Sequence, residues 1–265
     1  MPQTEMTCHS PATEQAPDGA TRIALIGSPN GGKTSIFNQL TGLHAKTGNY
    51  PGVTVSRSEG VARIHDHTFA IEDLPGTYSL SPISPDEQVV VDVLDGRMDQ
   101  VSAPDALVVV ADATALRRSL LLLAEVLPRH LPTAVVVTMT DELRRRQGSL
   151  DVTALSQALG VPVVAVVANR GIGIGELRNL LTTWHDWDRP PLDPPSRSSE
   201  LAGWVDSVLD TAGYEDPDPD SRTERIDKVL LHPVWGTIVF FAVMFLFFQA
   251  PVSYTHLTLP TIYSV

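Results

Sequence analysis

The run Gly27-Ser28-Pro29-Asn30-Gly31-Gly32-Lys33-Thr34 constrains this chain more than any other feature. It fits the pattern G-x-x-x-x-G-K-[ST] and lies between an apolar run, Arg22 to Ile26, and a helical pattern from Lys33 to Leu40. A strand before it and a helix after it give those letters their meaning. Glycines let the backbone curl round a polyphosphate and aim several N–H groups at it, and the positive end of the helix adds to the field. Lys33 is then placed for the β and γ phosphates, and the hydroxyl of Thr34, followed by Ser35, for Mg²⁺. A glycine-rich turn with an exposed lysine is the bland alternative, and the strand and helix on either side weigh against it.

The surrounding pattern predicts the domain. Arg22 to Ile26, Ala106 to Ala111, Ala134 to Thr138 and Pro162 to Val167 are near-continuous apolar runs of strand length, as parallel strands buried on both faces should be. Val53 to Ile64 and Thr68 to Glu72 suggest two more strands, joined as a hairpin through Asp66. Helices are expected over Lys33 to Leu40, Asp86 to Leu94, Leu116 to Leu127, Val152 to Leu159 and Ile174 to Trp184. This alternation predicts an α/β fold, a mostly parallel six-stranded sheet with helices on both faces. Residues 1–20 are polar and proline-containing, with no apolar period, and read as a disordered tail. The domain is expected over 21–186. A proline-rich linker with a short helix near Leu201 to Ala212 follows over 187–228. One cysteine, Cys8, excludes a disulfide scaffold. A net charge of -12 with scattered cations weighs against a nucleic-acid partner.

Two further segments choose among nucleotides. Asp73-Leu74-Pro75-Gly76 ends a strand as D-x-x-G, in which the Asp approaches Mg²⁺ through water and the glycine N–H senses the γ-phosphate. Thr138-Met139-Thr140-Asp141 ends another strand as T-x-x-D, where GTP-binding proteins carry N-K-x-D. The Asp141 carboxylate can accept from guanine N1–H and N2–H₂, donors that adenine does not present; a helix N-cap is the alternative role. Ala168-Asn169 follows the last strand, where a backbone N–H would meet the guanine O6.

With the loop continuing as Ser35-Ile36-Phe37-Asn38-Gln39-Leu40-Thr41-Gly42, these motifs resemble the N-terminal part of the bacterial ferrous iron transport protein B family. Asn49-Tyr50-Pro51-Gly52-Val53-Thr54-Val55, Asp73 to Leu80, Asp112-Ala113-Thr114 and Ile226 to Leu230 carry the same resemblance, which covers about Thr21 to Gln249. It implies a Ras-like GTPase domain that hydrolyses GTP slowly with Mg²⁺. In it Gly52, Val53 and Thr54 form the first switch, and Lys33, Thr54 and Gly76 act on the phosphates. Thr34, Thr54 and Asp73 would serve the Mg²⁺, and Asn30 a K⁺ ion that stimulates hydrolysis. The implied partners are Fe²⁺ as the ion carried by the full-length protein, the membrane bilayer, small Feo accessory proteins and a second copy of the chain. Three positions depart from the usual pattern of GTPases. Thr77 stands where Ras-like proteins have a water-positioning glutamine, Thr138 replaces the guanine-motif Asn, and Val167 replaces the serine before Ala168.

Val229 to Ala250 contains no Asp, Glu, Lys or Arg, and as one helix would rise about 33 Å, enough to span a hydrocarbon core. Arg222, Arg225 and Lys228 precede it and no Lys or Arg follows, which places the GTPase in the cytoplasm and the helix in the bacterial inner membrane. Residues 251–265 do not continue the family pattern and read as a truncated or non-native tail. The rival reading is a regulatory GTPase of the ribosome-assembly or tRNA-modification type. A second rival is a binding switch without useful turnover.

Overall fold

The computed structural model describes residues 17, 19–43, 45–190, 192–219, 228 and 230–257. The expected tail, apart from residues 17, 19 and 20, lies outside them, as do Cys8, Arg222, Arg225 and the last residues of the chain. One compact unit ends at Pro217, and a second begins at Asp218.

The first unit is built on seven strands: β1 (Thr21–Gly27), β2 (Ala45–Asn49), β3 (Ser56–Ile64), β4 (His67–Asp73), β5 (Ala106–Asp112), β6 (Thr133–Thr138) and β7 (Val163–Ala165). Their order in the sheet is β2-β3-β4-β1-β5-β6-β7. From β4 to β7 every pairing is parallel, while β3 lies antiparallel to both β2 and β4. The seventh strand, β2, is the one the sequence does not announce: Ala-Lys-Thr-Gly-Asn has no apolar alternation, and it pairs only along the sheet edge. Central β5 and β6 are buried along most of their length, as their Val-rich runs require.

Helices cover both faces. On one, α1 (Lys33–Thr41) and α6 (Ile174–Thr182) pack Ile36, Phe37, Leu40, Leu177 and Leu181 against Ile23, Leu25, Val108 and Val136. On the other, α2 (Pro85–Leu94), α3 (Leu116–Val126), α4 (Thr140–Arg145) and α5 (Val152–Leu159) enclose Ile26, Val109, Val135 and Val137. The start of α2 is a capping box: Ser84 Oγ accepts from Glu87 N, the Glu87 carboxylate reaches back to the cap, and Pro85 opens the first turn.

The compact unit runs past the proline-rich stretch that suggests its end. Helix α7 (Ser198–Thr211) carries Val205, Val208, Leu209 and Ala212 at helical spacing, and all are buried in the core shared with α3 and α5. Burying the first three contributes about 5 kcal/mol by area bookkeeping, an upper figure. Polar ties follow: Asp151 N donates to Ala212 O at 2.9 Å, and Tyr214 Oη to Ala113 O at 3.0 Å.

In the second unit, α8 (Trp235–Leu257) is apolar around its circumference, with Phe240, Phe241, Phe245, Leu246, Phe247 and Phe248 exposed. Among the described residues no helix is long and apolar enough to cross a membrane; residue 229, where the expected span over 229–250 begins, lies outside them. Residues 231–234, just before Trp235, form a turn rather than helix, with His232 Nδ1 accepting from the N–H groups of Val234 and Trp235. By sequence the apolar part of α8 gives way after Ala250 to Pro251, Ser253, Thr255 and His256.

Candidate functional site

Strand β1 ends at Gly27 between β4 and β5; from β1 the chain goes on toward the β2 edge of the sheet and from β5 toward the β7 edge, the kind of place where α/β sheets open a crevice. The loop from Gly27 turns back on itself, Gly31 N donating to Ser28 O at 3.2 Å, with Asn30 and Gly32 at φ 61° and 90°. Gly32 adopts that conformation without steric cost, and Asn is among the few other residues that do so readily. Lys33 is buried, and its Nζ donates to the carbonyls of Gly27 at 3.2 Å and Ser28 at 3.3 Å. Burial lowers its pKa, and the nearby Asp73 carboxylate opposes that shift. Pro29, Thr34 and Ser35 stand exposed at the mouth.

Asp73, the last residue of β4, meets this loop from the side. Its Oδ2 accepts from Thr34 Oγ1 at 2.9 Å, and its Oδ1 is buried with no hydrogen-bond partner among the described residues. Burial raises the Asp73 pKa, with the Thr34 hydrogen bond and the Lys33 charge pulling it down. A carboxylate oxygen shut away without a donor calls for a partner, a cation or an ordered water. The pair therefore fits Mg²⁺, which when bound supplies neutralising charge beside phosphate oxygens. Leu74 is buried behind this pair. At Gly76 an added Cβ would lie 2.9 Å from Pro29 Cα, so the D-x-x-G segment and the phosphate loop touch backbone to backbone.

Lys33, Thr34, Thr54, Asp73, Pro75 and Gly76 line one open cleft of about 420 Å³, with Asp86 from the first turn of α2. Thr54 reaches it from the loop joining β2 to β3, where Gly52 and Val53 are also exposed. Thr77 is turned away: it is buried, donates its N–H to Gly27 O at 3.1 Å, and commits Oγ1 to Ser79 O at 2.5 Å. It has no side-chain group aimed at an attacking water.

The base end is assembled differently. Thr138 Oγ1 lies 2.7 Å from Gly31 O and 3.2 Å from Ala111 O, so the hydroxyl that replaces an amide still ties β6 to the phosphate loop. Met139, at φ 57°, turns the chain into α4 and is itself the N-cap position. Asp141 lies in the first turn, so the N-cap alternative for it does not hold; its Oδ2 stands 3.9 Å from Arg170 Nε. Ala168 and Asn169 lie in the 3-10 turn after β7, with Ala168 O accepting from Gln39 Nε2 at 3.1 Å. That bond joins the base loop to α1.

Three contacts near the site escape the sequence pattern. Glu125 on α3 takes Ser79 Oγ at 3.1 and 3.0 Å, and also the N–H of Leu80, gripping the segment after D-x-x-G. Arg118, two turns earlier on α3, lies over the Tyr78 ring at 5.2 Å. Glu72 gathers Tyr50 and two arginines beneath the Thr54 loop. Each joins residues far apart in sequence, so no local motif signals it. Only Asp86 had a signal, since Ser84-Pro85-Asp86-Glu87 reads as a helix start.

A family model described as ferrous iron transport protein B matches residues 21–181. The chain belongs to that family. The Fe(2+) transporter FeoB of Salmonella choleraesuis (strain SC-B67) is 45% identical over 197 residues, which cover 72% of this chain and 24% of that protein. The crystal structure of the G domain of the T. maritima FeoB iron transporter superposes with a TM-score of 0.56 at 37% identity, covering 63% of this chain and 99% of that one. A mutant of S. thermophilus NFeoB bound to mGDP gives 0.57 at 39% identity, covering 63% and 62%. The fold is thus the Ras-like G domain of this family, with the antiparallel β2–β3 pair at one edge. The chain spans only 20% of the length of one curated relative and 44% of another.

Proposed function

We propose that the chain binds GTP and hydrolyses it slowly in the presence of Mg²⁺, as the G domain of a ferrous iron transporter. The observation that carries this reading is the buried, unpartnered Asp73 Oδ1 beside Thr34, at the mouth of a phosphate loop that Thr54 and Gly76 also face. Lys33 would release its two carbonyls and take the phosphates instead. Backbone N–H groups from Gly31 to Thr34 would hold the β-phosphate, and Asp141 the guanine edge, with Met139 and Ala168 beside it. Thr54 and the Gly76 N–H would close on the γ-phosphate, and their release after hydrolysis is the switch. With Thr77 engaged elsewhere, no side chain orients the attacking water, which favours a slow intrinsic rate. Asn30, at the exposed tip of the loop, is the residue we assign to K⁺. GDP-bound relatives of the same fold support the nucleotide class.

The parent protein is proposed to lie in the bacterial inner membrane with this domain on the cytoplasmic side, α8 being part of the approach to the bilayer. Ferrous iron is its cargo, and a fused Fe(2+) transport protein A in the Porphyromonas gingivalis relative supports a small accessory partner. A relative named as an iron transporter favours this reading over a ribosome-assembly or tRNA-modification GTPase. The test is titration of the full chain in detergent with fluorescent GTP and ATP, and phosphate release with Mg²⁺ in K⁺ and Na⁺ salts. GTP should bind at least tenfold more tightly than ATP, and phosphate release should need Mg²⁺. Equal affinities would remove the role given to Asp141, and binding without turnover in either salt would leave a pure binding switch.

A further inference from the structure

Beneath the loop that carries Thr54 lies a buried polar cluster that hydrolysis chemistry does not explain. Glu72 is 5% exposed on β4, one residue before Asp73. Its Oε1 accepts from Tyr50 Oη at 3.0 Å and Arg57 Nε at 2.9 Å, and its Oε2 lies 3.5 Å from Arg22 Nη2. Glu59 bridges the same two arginines, at 3.1 Å to Arg57 and 3.3 Å to Arg22. The Arg57 guanidinium also sits 5.9 Å over the Tyr50 ring. A buried ion cluster of this kind is a poor device for stability, because apolar side chains of equal volume do as well or better. Its geometry suggests another use.

Tyr50 is the foot of the Thr54 loop, and the loop has little slack above it. Tyr50, Pro51, Gly52 and Val53 form a tight turn in which Val53 N donates to Tyr50 O at 3.3 Å and Gly52 takes φ 78°, as a type II turn with Pro at its second position requires. Tyr50 N then donates to Val55 O at 2.9 Å, closing the loop on itself. Thr54, exposed like Gly52 and Val53 between the two pinned ends, is the one of the three that lines the cleft of Lys33, Thr34 and Asp73. Adjacent positions of β4 thus hold the two sides of one cation site, Asp73 directly and Thr54 through Glu72 and Tyr50.

We infer that Glu72 is a positioning residue for the switch: through the Tyr50 hydroxyl it sets where Thr54 stands relative to Asp73, and so how readily the loop closes on Mg²⁺ and the γ-phosphate. This rests on the GTPase reading given above. The GDP complex does not need Thr54, so the cluster affects the triphosphate state alone.

Tyr50→Phe tests this with the smallest change, removing one hydroxyl and keeping the ring. On the full chain in detergent, kcat for GTP should fall about tenfold, the size expected for one buried hydrogen bond to a charged group. The Mg²⁺ concentration for half-maximal turnover should rise several-fold. Affinity for fluorescent GDP should stay within twofold, and the melting temperature within about 3 °C. Glu72→Gln, which keeps an acceptor for the phenol, should retain more turnover than Glu72→Ala. Unchanged kcat and Mg²⁺ dependence in Tyr50→Phe would overturn the inference, as would parallel losses of GDP affinity and melting temperature, which mark a structural role only. Wild-type protein without Mg²⁺-dependent turnover would instead overturn the GTPase reading, and the inference with it.

Discussion

The residues proposed for the phosphates and those proposed for the base are built to different standards. Around the phosphates the backbone is packed against itself: Lys33 is buried on two carbonyls, Thr34 is bonded to Asp73, and Gly76 leaves no room for a Cβ beside Pro29. Around the base the groups are looser. Asp141 is a third exposed with Arg170 at 3.9 Å, Met139 is exposed, and Ala168 O accepts from Gln39 Nε2 at 3.1 Å and from Gly171 N at 3.3 Å. The difference teaches that phosphate binding is preorganised, while recognition of the base waits for the ligand. A nucleotide should therefore be held chiefly by its phosphates and chosen by a single carboxylate. Its departure should begin at the base end.

Substitutions in each half can break this contrast. Lys33→Ala should have the largest effect, weakening GTP binding by about 10³-fold, since it removes a buried cation from the phosphate loop; titration with fluorescent GTP checks it, and a loss under tenfold would contradict a preorganised phosphate half. Next comes Asp141→Asn, for which the GTP-to-ATP preference should collapse by about 10²-fold, the range for a site that loses a matched polar group. Competition binding measures this, and overall phosphate affinity should survive it. Thr138→Val removes the hydroxyl shared by Gly31 and Ala111, and should weaken both GDP and GTP by about fivefold, the size of one neutral hydrogen bond. An effect on GTP alone would show that Thr138 belongs functionally to the γ-phosphate. Arg170→Ala should change affinity by less than about twofold, because an exposed pair at 3.9 Å is worth little. A tenfold change in GDP dissociation rate would show that the base loop is more ordered than its contacts suggest.

Much of this architecture was legible in the sequence because it depends on local letters and periods. The apolar runs placed β1, β5 and β6; the phosphate loop fell at the end of β1, T-x-x-D at the end of β6, and D-x-x-G at the end of β4. The pattern predicted Val152 to Leu159 as helix to the residue, since Asp151 caps it and Gly160 ends it. What was missed depends on partners distant in sequence. Strand β2 is held by its ladder to β3 rather than by apolar burial, so its letters resemble a loop. Helix α4 is short and polar, and begins at the turn made by Met139. Helix α7 reads as a separate amphipathic segment because nothing in its own residues names α3 and α5 as its partners. Within the expected span over 229–250, the absence of charge gives no sign of the turn around Pro233 that precedes α8.

The edge strand has one more consequence. Residues 46–49 of β2 are all exposed, and the strand gains only ladder bonds to β3. Peeling it from the sheet uncovers almost no apolar surface, so its opening free energy lies far below that of the whole domain. The strand runs directly into Tyr50 and the Thr54 loop, which makes it a seam that opens on its own. In hydrogen exchange the amides of Lys46 to Asn49 should trade their protons through local opening, long before those of β1, whose release needs the core to come apart.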